Sequence, residues 1–307
     1  MQKRWWKEVT GQQVNLRLEE FKCIVAINCN ENYIKALEKC FSDAKIYTYS
    51  FHGDDDWNND VSGNGDDVNF HEYLNRLCDP EFLVRGCTIF FNKYESVIDE
   101  LAESIWQDFL KGGKRPKEEL ILGAAEVILI KWNCPFLFSN RADELITILK
   151  EDRLSQELKD AYDSSRGDLE KLTTIWLGDA KLPHHLELVK GVYAKFTTKH
   201  TIGITGASKA LHFIHPGLFV PWDAKIREQY HRHSQNHSKE HEIGSPECYA
   251  EFIQTCNQIT AKLMQKTKWE EIARRHPAYG RSGSLRTIAK MLDECNYCWI
   301  TKKERWQ

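Results

Sequence analysis

A mainly α-helical fold carrying a small α+β element at its N-terminal end is predicted by three observations. Apolar residues recur at helical spacing through most of the chain beyond residue 70, brief polar turns separate those stretches, and strand-like runs are confined to the residues before 52. At 307 residues the chain is long enough for one large domain or two ordinary ones. The expected division sets residues 1–70, an α+β element with an acidic flexible loop, apart from residues 71–307, a helical domain.

Residues 21–27 and 44–51 are the strand candidates, and the second, Lys45-Ile-Tyr-Thr-Tyr-Ser-Phe51, partly alternates as a half-buried strand does. An amphipathic stretch, residues 32–41, lies between them. Residues 53–67, GDDDWNNDVSGNGDD, hold six aspartates and three glycines, the composition of a solvated flexible loop. The carboxylates lack the regular spacing of a calcium loop. Residues 95–110 then place Val97, Leu101, Ile105, Trp106 and Phe109 near one helical face before a Gly-Gly stop. Pro116 with Glu118 and Glu119 opens a helix through Leu129 and Trp132, apolar enough to be central. Further helices fit residues 142–149, 154–162, 168–176 and 186–196, then 246–266, 269–275 and 285–297.

The 41% apolar and 28% charged fractions are those of a soluble globular chain. No apolar run approaches the ~20 residues of a membrane helix, and MQKRWWKEVT has no signal-peptide core, so the expected setting is cytoplasmic or nuclear, away from membranes. The ten cysteines are scattered, not framed for disulfides, and read as buried small hydrophobes. Cys295-x-x-Cys298, with Cys248 and Cys256 upstream, lacks zinc or iron–sulfur spacing, so neither metal nor cofactor is expected. No Rossmann or P-loop glycine pattern and no Gly-x-Ser-x-Gly elbow is present, which lowers the nucleotide-binding and hydrolase superfolds.

A net charge of -3 neither requires nor excludes a nucleic-acid partner, because local basic faces can be cancelled in the total. KGGKRPK, residues 111–117, sets four cations beside two glycines and a proline. That is the composition of a surface turn, and equally a source of phosphate contacts from Lys111, Lys114 and Arg115. Arg274, Arg275, Arg281, Arg286 and Lys290 form a second candidate phosphate edge. In HRHSQNHSKEH, His233, His237 and His241 share a helical face, but the outer two would stand about 12 Å apart along the axis. With His231 they read as a solvated or DNA-facing surface ahead of a metal site.

Residues 203–223, GITGASKALHFIHPGLFVPWD, set Lys209 and Asp223 among apolar residues on either side of a break at His215-Pro216-Gly217. The reading is a tight turn over residues 203–206, a short helix over 208–214, and a new helix opened by Trp222-Asp223 after Pro221. The stretch Gly203, Thr205, Gly206, Ala207 and Ser208 permits close backbone approach, and its N–H groups at a helix start can hold a DNA phosphate. Alone, Asp223 reads as a helix cap and Lys209 as a solvated turn lysine. Their combination in an apolar segment points to chemistry.

This segment resembles the helix-hairpin-helix (HhH-GPD) DNA glycosylase superfamily, the relatives of endonuclease III and 8-oxoguanine glycosylase. In that family a hairpin L-P-G-V-G-x-K precedes a helix, and an apolar P-V-D loop opens the next. Here I-G-I-T-G-A-S-K places Lys209 at the family's lysine, and F-V-P-W-D places Asp223 at its aspartate. Thr205 and Ala207 stand where the hairpin glycines would be, and the 14 positions from Lys209 to Asp223 are fewer than the family has. The family's four-cysteine cluster spacing is missing.

The resemblance implies a helical glycosylase that flips an altered base out of double-stranded DNA and cleaves its N-glycosidic bond, in repair or in defence against modified foreign DNA. It implies that Asp223 stabilises the developing positive charge, and that Lys209 attacks C1′ to give a Schiff base and an AP lyase step. Trp222, His212 and His215 would line the base pocket, with the hairpin, the 111–117 turn and Arg281 on the DNA backbone. Two other classes stand beside it: a non-catalytic helix-hairpin-helix nucleic-acid binder in which Asp223 is only a cap, and a helical protein-interaction module. Protein partners are unspecified by the sequence.

Overall fold

The computed structural model describes residues 23–27, 45–49, 70–94, 103–138, 152–233 and 241–306. Two compact units divide the chain, Met1–Asp67 with Ile130–Asp152, and Val68–Leu129 with Arg153–Gln307. The inclusion of residues 130–152 in the first unit is not anticipated by a division at residue 70. In that unit β1 (Cys23–Ile27) and β2 (Lys45–Tyr49) pair in parallel, Cys23 opposite Lys45 and Ile27 opposite Tyr49. Residues 53–67, 95–102, 142–149 and His237 lie outside the described residues.

The second unit is helical. It contains α1 (Phe70–Arg76), α2 (Pro80–Lys93), α3 (Gln107–Leu110), and α4 (Glu118–Phe138) as far as Leu129. Then come α5 (Arg153–Leu172), α6 (Leu186–Thr197), α7 (Gly203–Ile214), α8 (Ala224–His233) and α9 (Pro246–Met264). The unit closes with α10 (Trp269–Arg275), α11 (Pro277–Ser282), α12 (Ile288–Asn296) and a π-helical turn, Tyr297–Thr301. Among the described residues no helix is long and apolar enough to cross a membrane.

Local chemistry sets the helix starts. Asp79 accepts from Glu81 N–H at 3.0 Å with Pro80 at the first position of α2, and Ser245 accepts from Cys248 N–H at 3.3 Å ahead of Pro246 in α9. Thr287 caps α12 in the same way, through Lys290 N–H at 3.2 Å. The two helices expected over residues 154–162 and 168–176 are one continuous α5. Its midpoint is laced by Asp163, which pairs with Lys159 and Arg166, while Arg166 also forks onto Glu118 of α4 at 2.9 Å on both arms. Gly167 has open space where a side chain would be, so it is tolerated in the helix without ending it.

α6 packs against α5, α7 and α9, and aromatic rings fill the joint. Tyr193 of α6 stacks on Tyr249 of α9 with centroids 4.0 Å apart, and Trp222 stacks on Phe252 at 5.1 Å. A second cluster joins Tyr73, Phe82, Trp299 and Trp306, bringing α1 and α2 onto the C-terminal turn. Beside it, Tyr73 of α1 and Tyr230 of α8 both donate to Oδ1 of Asn296 on α12, at 2.9 and 3.1 Å.

The break after α7 is tightly packed. Gly217 accepts from Leu177 N–H at 2.9 Å, and a Cβ at Gly217 would overlap the Trp176 indole. Gly217→Ala is therefore expected to lose about 1–3 kcal/mol, seen as a lower urea midpoint with an unchanged slope.

Candidate functional site

α6 and α7 pack on each other as a helical hairpin joined by residues 198–202, and residues 203–206, expected as a tight turn, belong to α7. Gly203 sits at φ +63°, the left-handed region that suits glycine, and residues 203–206 form the first turn of α7 itself. The turn's own N–H groups are already used. Those of Ile202 and Gly203 donate to Lys199 C=O, and Thr201 donates through both N–H and Oγ1 to Glu157 of α5, each at 2.8 Å. Burial pushes the Glu157 carboxyl up, but the Thr201 and Arg153 bonds outweigh it and hold it low. An anion at this hairpin would have to use the first-turn N–H groups of Ile204 and Thr205.

The other expected contacts shift accordingly. Gly206, Ala207 and Ser208 are buried, so their side chains and flanks face protein and not a phosphate. A Cβ at Gly206 would come within 3.0 Å of Leu129 on α4, which makes it a packing glycine. Thr205 is partly exposed, and its Oγ1 accepts from Arg227 of α8 at 2.7 Å.

Ser208 ties the hairpin to the loop before α8. Its hydroxyl accepts from Trp222 N–H at 3.1 Å and donates to Thr205 C=O at 2.9 Å. Directly after Trp222, Asp223 opens α8. Its Oδ1 accepts from Ile226 N–H at 2.8 Å, three residues into the helix, and its Oδ2 accepts from the Thr301 hydroxyl of the π-helical turn. Asp223 is partly exposed, and each carboxylate oxygen keeps a second lone pair.

Lys209 lies in the middle of α7 and is only 8% exposed, which corrects its placement beside a turn. Its charge acts on Asp293 of α12, within a buried group of ions. Lys290 bonds Asp293 at 3.2 Å and stands 3.6 Å from Glu103, which pairs in turn with Arg286. Burial pushes the Asp293 carboxyl up to about 6, against the downward pull of Lys290 and Lys209. Arg286 and Lys290 therefore leave the expected phosphate edge for the interior, while Arg274, Arg275 and Arg281 stay exposed. Arg275 pairs with Glu81, and the Arg281 guanidinium lies 4.4 Å above the Phe91 ring.

Of the residues expected to line a base pocket, Trp222 borders a cavity between α1, α8 and α9, while His212 and His215 are interior. Trp222 is buried and donates Nε1–H to the Tyr193 hydroxyl at 3.1 Å. His212 is buried and donates Nδ1–H to Phe219 C=O at 2.8 Å; burial, with Lys290 nearby, pulls its pKa down to about 3. His215 donates Nε2–H to Leu172 C=O at 3.1 Å, and burial pulls it down to about 4. Both imidazoles are neutral braces across the break between α7 and α8.

In the 111–117 turn, Lys111 and Lys114 are exposed, but Arg115 turns inward. It donates to Ile214 C=O at 3.1 Å and to Thr173 Oγ1 at 3.4 Å, closing the C-terminal end of α7. That end lies about 16 Å along the axis from Gly203. The basic turn and the hairpin turn therefore flank α7 from opposite ends.

Cys87, His276 and Glu294 bring donor atoms within 4.8 Å of one another in the interior. His276 and Glu294 already pair with each other, and the Cys87 thiol donates to Met291 C=O. His276 Nδ1 accepts from Ala278 N–H at 3.1 Å, so the ring proton sits on Nε2 and is donated to Glu294 at 2.8 Å. A metal on Nε2 would require a ring with neither proton, which disfavours the site. Of the later histidines, His231 and His233 close the described part of α8, and His237 lies outside the described residues. His231 Nδ1 lies 3.7 Å from the Cys248 thiol.

Sequence reasoning missed Glu103, whose partner Arg286 lies far along the chain, Arg227, which meets Thr205 of another helix, and Asp293, which pairs locally with Lys290. A charged residue inside an apolar helical repeat, as at Lys290 and Asp293, is the one signal that could have found the buried group. Comparison with protein-family models, curated proteins and solved structures gave no match.

Proposed function

We propose that this chain is a base-excision enzyme that removes an altered base from double-stranded DNA, with Asp223 directing water at C1′. The observation that carries the reading is the junction of hairpin and loop: Thr205 and Ser208 at the start of α7 hold Arg227 and Trp222 on either side of Asp223. A backbone phosphate on the first-turn N–H groups of α7 would lie next to the helix start that Asp223 opens. As the glycosidic bond breaks, its electrons leave with the base and positive charge builds on the sugar. The Asp223 carboxylate opposes that charge and takes the proton of the attacking water.

Lys209 supports water over an amine as the attacking group. It is buried beside Asp293 in an ionic group, whereas Asp223 remains partly exposed. Asp223→Asn is expected to lower base release about 10²–10³-fold while keeping the cap, since an amide oxygen still accepts from Ile226 N–H. The assay is release of alkylated, oxidised, deaminated or hydroxymethylated bases from duplex DNA, repeated with borohydride. A trapped covalent adduct that Lys209→Ala abolishes would replace water with the Schiff-base route.

One observation favours a second reading, a non-catalytic hairpin binder: both Asp223 oxygens already serve structural bonds. Duplex binding unaffected by Asp223→Asn, with no base released from any substrate, selects it.

A further inference from the structure

Asp223 is held at both carboxylate oxygens, and the two bonds differ in kind. Oδ1 accepts from Ile226 N–H within its own helix, and that bond alone caps α8. Oδ2 accepts from the hydroxyl of Thr301, 78 residues along the chain, which capping does not require. The same threonine receives the Lys225 ammonium on its C=O at 3.5 Å, so its hydroxyl and its carbonyl both meet the start of α8.

The backbone that brings Thr301 there is unusual. Tyr297–Thr301 is a π-helical turn directly after α12, a rare form that recurs at functional sites. Lys303, two residues on, sits at φ +54°, a left-handed conformation that suits glycine and strains a lysine. The turn does not depend on the threonine hydroxyl for its closure. Lys302 N–H donates to Tyr297 C=O and Glu304 N–H to Cys298 C=O, both at 2.9 Å, and Thr301 itself is partly exposed. A carboxylate gripped at both oxygens cannot rotate about Cβ–Cγ without giving up one bond, so its remaining lone pairs keep a fixed direction.

We propose that Thr301 is a positioning residue of this site, its hydroxyl holding Oδ2 so that the Asp223 carboxylate meets the attacking water in one orientation. The assignment rests on the base-excision reading, and Thr301 keeps its own proton throughout. Single-turnover base release from duplex DNA tests it, on whichever altered base the unaltered chain excises. Thr301→Val is expected to slow release about tenfold or more at unchanged half-saturation, and Thr301→Ser to stay within about threefold of the unaltered chain. In Asp223→Asn the oriented carboxylate is already gone, so adding Thr301→Val should cost less than about twofold more. Thr301→Ala decides the matter if Thr301→Val lowers the urea midpoint. The proposal is overturned, with base excision intact, by Asp223-dependent release that survives loss of the hydroxyl, by Thr301→Ser failing as Thr301→Val does, or by losses that multiply in the double variant. Weaker half-saturation at unchanged rate would overturn it too and make Thr301 a DNA contact. No Asp223-dependent release from any substrate removes the excision reading itself, and this assignment with it.

Discussion

Arg286→Met is expected to destabilise the fold by about 3–5 kcal/mol, read as a fall in the urea midpoint at unchanged slope. Arg286 is buried and pairs with Glu103, which is itself 10% exposed in its side chain. Methionine fills similar volume, so the loss is electrostatic: Glu103 is left with Lys290 at 3.6 Å as its remaining cation. Removing both charges, in Arg286→Met with Glu103→Gln, should restore most of the loss. A single-variant loss under about 1 kcal/mol would mean that the pair is solvated as a surface bridge is.

Acid should destabilise the chain through His212 and His215. Their folded pKa values, about 3 and about 4, lie below the ordinary 6.5, because burial, helped by Lys290 near His212 and Arg115 near His215, favours the neutral ring and outweighs the carbonyl hydrogen bonds. A depressed pKa gives stability that is present above 6.5 and lost as pH falls toward the folded value, because the unfolded chain binds the proton first. From pH 7 to pH 5 each histidine accounts for about 2 kcal/mol of loss. Asp293, raised to about 6 by burial, runs the other way and returns about 1 kcal/mol over the same interval. The check is a difference: His215→Gln should lose about 2 kcal/mol less than the unaltered chain between pH 7 and pH 5. Equal pH dependence in the two proteins would show that His215 is solvated.

Elements with strong helical periodicity were legible from residues alone. α6, α9 and α10 begin where the apolar pattern, Pro246 and Trp269 indicate. Errors arose where glycine was read as punctuation. Gly206 and Gly167 look like turns in a sequence, yet one is small because Leu129 presses on α7 and the other is merely tolerated on an open face. Asp223 was legible as a helix start because capping is local. The environment of Lys209 was not, since its burial depends on α12, and no local pattern reports which distant carboxylate a lysine will meet. The same holds for Arg286 and Lys290, which a linear reading groups with exposed arginines although packing sends them inward.

Asn296 gives the region around the cavity a mechanical property. One amide oxygen receives the hydroxyls of both Tyr73 and Tyr230, so α1 and α8 are suspended from a single atom on α12. The two walls cannot be adjusted separately at that point without giving up a buried hydrogen bond. Loss of the Asn296 amide would therefore strip two buried hydroxyls, one on each helix, of their shared acceptor at once.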